Sequence, residues 1–114
     1  MKGKIIIGLV EEVIVRGRMG EKAVTAKIDT GATKNSVDSR LAAQLNFGPV
    51  VGTKLIKSSH GNSVRPVVKG IVVIAGEEFE TRFTLADRAH LRYSVLIGQN
   101  VLKRGNFLID PARE

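Results

Sequence analysis

Residues 23–37 read Ala23-Val24-Thr25-Ala26-Lys27-Ile28-Asp29-Thr30-Gly31-Ala32-Thr33-Lys34-Asn35-Ser36-Val37. The stretch up to Ile28 has the alternating, β-prone character of a half-buried strand. The Asp-Thr-Gly triplet then makes a tight turn, and the chain passes through Ala32 back into Ser36-Val37. An acid in such a place has two readings. It is a turn aspartate that caps backbone N–H groups, or it is a carboxylate presented for chemistry. The flanking sequence decides between them.

Upstream, residues 4–15 are rich in Ile and Val, and Arg18-Met19-Gly20-Glu21 is turn-like. With residues 22–28 this predicts an N-terminal hairpin. Downstream, Leu41, Ala42 and Leu45 share one helical face, and Asp38 or Ser39 can cap a short helix over residues 39–45. Asn46-Phe47-Gly48-Pro49 ends it, because Gly permits the left-handed conformation and Pro cannot continue the hydrogen-bond ladder.

Two β-prone arms, residues 54–57 and 63–68, surround the small, polar Ser58-Ser59-His60-Gly61-Asn62, which predicts a projecting hairpin. Strands are expected over residues 67–75 and 78–85 with a tight join at Gly76-Glu77, followed by a polar loop over residues 86–92. Tyr93-Ser94-Val95-Leu96-Ile97 reads as a buried strand running into Gly98. A helical turn over residues 99–104 follows, and a last strand over residues 107–110 is stopped by Pro111. Many short strands with one or two short helices indicate an all-β protein, a closed or partly closed barrel.

The 114 residues suit one domain spanning 1–114, with 43% apolar and 25% charged residues in a globular balance. There is no cysteine, which excludes a disulfide framework and a thiolate metal site. His60 and His90 fall in separate polar loops with no His-Glu-x-x-His helix, so neither a metal nor a cofactor is expected. No apolar run approaches the length that spans a bilayer, so the expectation is a soluble cytoplasmic protein without a membrane partner. Eighteen Lys and Arg against eleven Asp and Glu leave a net charge of +7, which favours acidic partners. Nucleic acid is disfavoured, because the basic residues are scattered and only four Phe and one Tyr are present for base stacking.

Hydrophobic-Asp-Thr-Gly-Ala, as in Ile28-Asp29-Thr30-Gly31-Ala32, resembles the active-site signature of retropepsin-like aspartic proteases. Leu96-Ile97-Gly98-Gln99-Asn100-Val101-Leu102 resembles that family's second element, two hydrophobic residues and a Gly leading into a short helix. The resemblance covers nearly the whole chain in the expected order. Ala26-Lys27-Ile28-Asp29-Thr30-Gly31-Ala32, Arg65-Pro66-Val67-Val68-Lys69, Leu85-Ala86-Asp87-Arg88 and Phe107-Leu108-Ile109-Asp110-Pro111 are most similar to a small prokaryotic group. That group is labelled ATP-dependent zinc proteases and is associated with ATP-grasp glutamate ligases.

The resemblance implies an acid-protease barrel with a flap hairpin and a homodimeric aspartic endopeptidase. Hydrolysis by this route needs two carboxylates sharing one proton, one acting as base on a water and the other polarising the carbonyl. One chain carries one Asp-Thr-Gly, so the second Asp29 is expected from a second copy across a two-fold axis. Thr30 is expected to hydrogen-bond across that axis, Gly31 to allow close approach, and Ala32 to complete the loop. Ser59, His60, Gly61 and Asn62 are expected to close over substrate, with Asp87, Leu96, Ile97 and Gly98 at the cleft wall. The substrate is expected to be a peptide, acidic or polyglutamate in character. The alternative is a catalytically inactive dimeric peptide-binding module on the same fold. Viral retropepsins commonly carry an acid after Asp-Thr-Gly-Ala and an Arg after the second Gly, forming an ion pair. Thr33 and Gln99 stand there in this chain, so both charged partners are absent together and neither is stranded.

Overall fold

The computed structural model describes residues 3–113. Strand β1 (Ile5–Ile7) is followed by β2 (Val10–Gly17), β3 (Gly20–Ile28) and β4 (Asn35–Asp38), then helix α1 (Ser39–Leu45). The long strands β5 (Val50–Ser58), β6 (Gly61–Ile74) and β7 (Glu77–Ala86) come next, and β8 (Val95–Ile97), helix α2 (Gln99–Arg104) and β9 (Phe107–Ile109) complete the chain.

Six strands close a ring in the order β2-β3-β8-β4-β7-β6, and β6 returns to β2 through Ile14↔Val73, Val15↔Val72 and Arg16↔Ile71. The expected barrel is therefore closed, with β5 added outside the ring on β6. Period-two alternation sends Val13 and Val15 of β2, Ala26 and Ile28 of β3, and Val72 and Ile74 of β6 into its centre. Val37, Phe83, Val95 and Ile97 meet them there, all fully buried. Each such Val, Ile or Phe side chain contributes about 1.5 to 3 kcal/mol on leaving water. Phe47, arriving after α1, packs at a tilt of 53° against Phe83 with ring centroids 5.2 Å apart.

The strand expected over residues 4–15 is two strands. Gly8 and Leu9 break it, and β1 leaves the hairpin to pair in parallel with β9, Ile6 facing Leu108. Periodicity along one segment cannot reveal which distant strand takes it. The two arms expected over residues 63–68 and 67–75 are one continuous strand, β6, whose first half pairs with β5 and whose second half belongs to the barrel. The β6–β7 turn is centred on Ala75 and Gly76, with φ of 52° and 79°, the double left-handed geometry of a tight hairpin turn.

Helix α1 spans the expected residues, with two differences at its ends. Asp38 occupies the N-cap position, yet its side chain makes no cap bond and accepts from the Arg88 backbone N–H at 2.9 Å. At the other end Asn46, not Gly48, takes the left-handed conformation, with φ of 54°.

Candidate active site

Parallel pairing of β3 with β8 and antiparallel pairing of β8 with β4 bring the two sequence motifs together, with Ile28 beside Ile97 and Ser36 beside Leu96. The Asp-Thr-Gly loop is the connection from β3 to β4, and β8 lies between those strands. Asp29 donates its backbone N–H to the Ile97 carbonyl at 2.9 Å. Its Oδ1 accepts from the Gly31 N–H at 2.9 Å, which fixes the carboxylate over the loop. Asp29 is half-buried, while Thr30 and Gly31 are exposed.

The loop is pinned from the second motif. The Gln99 N–H donates to the Ala32 carbonyl at 2.8 Å, the Asn100 N–H donates to the Thr33 carbonyl at 3.3 Å, and the Gln99 side-chain amide donates to the Thr30 carbonyl at 2.7 Å. Beneath them, fully buried Asn35 accepts from the Gly98 N–H through Oδ1 at 2.9 Å. Its Nδ2 donates to Thr81 Oγ1 at 3.3 Å and to the Arg82 carbonyl at 3.0 Å. Gly98 has no room for a Cβ, which would collide with the Lys34 carbonyl oxygen and lie 2.8 Å from that of Ala32. The glycine of the second motif is therefore a packing requirement of the first.

A cleft of about 380 Å³ opens between this loop and the hairpin of β5 and β6. Gly31, Ala32 and Lys34 form its floor with Leu96, and Lys54, Ile56 and Arg65 face it from the hairpin. The register explains that set: Lys54 pairs with Arg65 and Ile56 with Ser63, so alternate residues of both arms share the inner face. Leu55 and Val64 pair on the opposite face and are exposed.

The hairpin tip is Ser59-His60, closed by Ser58 Oγ, which donates to the Gly61 carbonyl at 2.9 Å and accepts from the His60 N–H. Gly61 has φ of 113°, a conformation that disfavours side-chain-bearing residues. Ser59, His60, Gly61 and Asn62 are all exposed at or beside the tip and do not line the cleft. Ile97 and Gly98 are buried and support the loop from below, leaving Leu96 as the member of that trio on the cleft wall. Asp87 stands apart in the β7–β8 connection, its carboxylate accepting from the Ala89 N–H at 3.1 Å in a local turn. Next to it, Arg88 donates through Nε to the Tyr93 carbonyl at 2.9 Å. Burial lowers the pKa of Arg88 from its ordinary value, and the negative charges of Asp38 and Asp29 oppose that shift.

Sequence reasoning missed Lys34, Lys54, Ile56, Arg65 and Asn35. The alternation of the hairpin arms carried the signal for Lys54, Ile56 and Arg65 once one inner residue was known. No local pattern marks Asn35, whose partners lie more than 45 residues away. A zinc ion does not fit these residues: among the described residues no three His, Cys, Asp or Glu side chains gather, and His60 and His90 stand exposed in separate loops.

A closed six-strand barrel, an Asp-Thr-Gly loop locked to a second glycine motif and a hairpin over the cleft define the retropepsin class of fold. Solved structures, two of them viral proteases, superimpose on the chain. The protease of equine infectious anaemia virus in complex with the inhibitor HBY-793 gives a TM-score of 0.68 at 17% identity, over 89% of this chain and 90% of that one. The simian foamy virus protease gives 0.64 at 20%, over 82% and 91%. A Legionella pneumophila protein of unknown function gives 0.66 at 20%, over 97% and 96%.

The chain belongs to the RimB-like family of retropepsin-like aspartic endopeptidases, whose family model matches residues 41–114. The matched span takes in the hairpin, the second motif and the last strand, and begins after Asp29. A probable alpha-L-glutamate ligase of Shewanella pealeana is 27% identical over 96% of this chain. The chain corresponds to 29% of the length of that relative.

Proposed function

We propose that the chain is one subunit of a homodimeric aspartic peptidase that hydrolyses acidic peptides, polyglutamate among them. The observation that carries this reading is the Asp29 carboxylate, held by the Gly31 N–H on a loop that is itself fastened to the second motif. Such fastening supplies the preorganisation that catalysis by positioned groups requires.

Two copies of Asp29 share one proton at the dimer axis. The ionised carboxylate takes a proton from a water, whose oxygen attacks the scissile carbonyl carbon, while the protonated carboxylate gives its proton to the carbonyl oxygen. The tetrahedral intermediate then collapses: the hydroxyl made from the carbonyl oxygen returns its proton to the second carboxylate as the C=O bond re-forms, the C–N bond breaks, and the proton taken from water passes to the leaving amine. Each carboxylate thus exchanges its role once per turnover.

Support for self-association comes from the same side of the molecule. Thr30 is exposed, and a shallow hollow joins it and Gln99 to Phe107 and Ile109 of β9. The β1–β9 ribbon pairs with no other strand among the described residues and exposes Ile6 and Leu108 side by side. Open strand edges beside an apolar pair are features that association satisfies. The hairpin of β5 and β6 is suited to close over substrate, since no residue of β5 is buried and the strand can move at low cost. Preference for acidic peptides is supported by Lys34, Lys54 and Arg65 on the cleft and by the chain's relative named as a probable alpha-L-glutamate ligase.

The decisive comparison is between the natural chain and Asp29→Asn on peptide and polyglutamate substrates from about pH 3 to about pH 8. Hydrolysis by the former and none by the latter is the expected result. Equal inertness of two folded proteins would leave a dimeric peptide-binding module in its place.

A further inference from the structure

The cleft does not end at the catalytic loop. Beyond Lys34 a second cavity of about 510 Å³ opens, and the two share Thr33, Lys34, Lys54 and Thr84 as common walls. Arg82 and Arg104 stand on its far side with Thr81 and Asn100. Four cations therefore ring this cavity, against one acid, Glu80.

Like charges gathered in a groove repel one another unless anions compensate them, and within a Debye length of about 8 Å salt screens that repulsion only in part. Among the described residues Lys34, Lys54, Arg65 and Arg82 form no ion pair, and Glu80 pairs with neither arginine. The cavity is also partly built for a ligand. Arg104 is held in place, donating through Nη1 to the Glu80 carbonyl at 3.0 Å with its guanidinium 5.5 Å from the centre of the Phe79 ring. Its remaining donors are thereby oriented before any ligand arrives. The backbone at Arg82 is fixed by the Asn35 amide, so this arginine rests on the residue that also locks Gly98. Thr84, two residues along the same strand face, is only 7% exposed and forms part of the wall common to both cavities.

We propose that this cavity is a distal anion subsite of the peptidase, in which Arg82, Arg104 and Lys54 hold carboxylates of an acidic peptide two or more residues from the scissile bond. An extended peptide advances about 3.3 Å per residue, so one lying in the cleft continues past Lys34 into this cavity. Chain length then becomes part of specificity: a run of acidic residues long enough to fill both cavities binds tightly, and a short one does not. The proposal rests on the peptidase reading for the direction of the substrate.

The test uses full-length Asp29→Asn protein, which needs no turnover, and fluorescein-labelled oligo-α-glutamates of about 2 to about 10 residues read by anisotropy. Adding Arg82→Gln, an exposed position, should weaken the longest peptide about tenfold, in line with the loss of a charge-assisted hydrogen bond. The shortest should be unaffected. Lys22→Gln, which removes the same charge outside both cavities, should change neither. Equal affinity for long peptides with and without Arg82, or an equal loss from Lys22→Gln, overturns the subsite, as does failure of every length to bind. Competition by a thymidine oligonucleotide of matched charge, as strong as that by the longest glutamate peptide, also overturns it in favour of a general phosphate-binding groove. Hydrolysis by the natural chain is measured separately. Length-dependent binding without hydrolysis sinks the peptidase reading and leaves the subsite, whereas hydrolysis indifferent to Arg82 does the reverse.

Discussion

The side-chain amide of Gln99 donates to the backbone carbonyl of Thr30 at 2.7 Å, across 69 residues of sequence. A neutral amide thus ties the second motif to the Asp-Thr-Gly loop at the position where viral retropepsins commonly place an arginine. Its acceptor is backbone, so the bond needs no acidic partner at Thr33. Removing it by Gln99→Ala should cost about 1 kcal/mol of stability and loosen the loop rather than unfold the protein. We expect kcat to fall more than KM rises, measured on an acidic peptide alongside a urea titration. An unchanged kcat would mean that the two backbone bonds at Ala32 and Thr33 hold the loop without help.

Asn35 is a more severe case, because it is buried and three groups depend on it. Asn35→Leu fills similar space while stranding the Gly98 N–H and removing a donor from the Arg82 carbonyl. Stability should drop by about 2 to 4 kcal/mol, read from the denaturation midpoint at constant slope. A loss below about 1 kcal/mol would show that water replaces the amide.

Two glycines separate backbone from side-chain constraint. At Gly70 a Cβ would lie 2.5 Å from the Phe47 ring, and rings can move or be shortened. Gly70→Ala should destabilise by about 1 to 3 kcal/mol, and Phe47→Leu in the same chain should recover part of that loss. At Gly98 the obstacles are the carbonyls of Lys34 and Ala32. No companion substitution can trim a backbone, so Gly98→Ala should disorder the 29–34 loop whatever else is changed. Amide exchange at residues 29–34 gives the readout, and protection equal to that of the natural chain would refute the packing argument.

Ile6 and Leu108 are 49% and 50% exposed on the terminal ribbon, where neither supports the barrel. Replacing either by Asp should leave the far-ultraviolet circular dichroism unchanged and shift sedimentation from dimer to monomer. Hydrolysis should disappear with the dimer. A variant that stays dimeric and active would move the interface elsewhere.

Both helices, the projecting hairpin and the order of the two motifs could be read from local pattern, because caps, turns and apolar spacing act over a few residues. What could not be read is non-local. β1 looks like the beginning of β2 until β9 takes it, and β6 looks like two strands because its two halves have different neighbours. Asp38 has the form of a cap, but its carboxylate goes to the Arg88 N–H fifty residues away. At the site, Asp29 to Ala32 announce themselves by motif. Lys54, Ile56 and Arg65 are ordinary strand residues until the register of β5 against β6 shows which face they share.

One Asp-Thr-Gly loop per chain also has a kinetic meaning. If each polypeptide holds half of the machinery, output depends on encounters between copies. Where monomer prevails, the rate rises with the square of protein concentration, so halving the amount made cuts activity about fourfold. Where dimer saturates, the dependence becomes linear. On that condition a freshly synthesised chain at low abundance would be inert toward its neighbours, and the switch from quadratic to linear response would mark the concentration at which the proposed activity turns on.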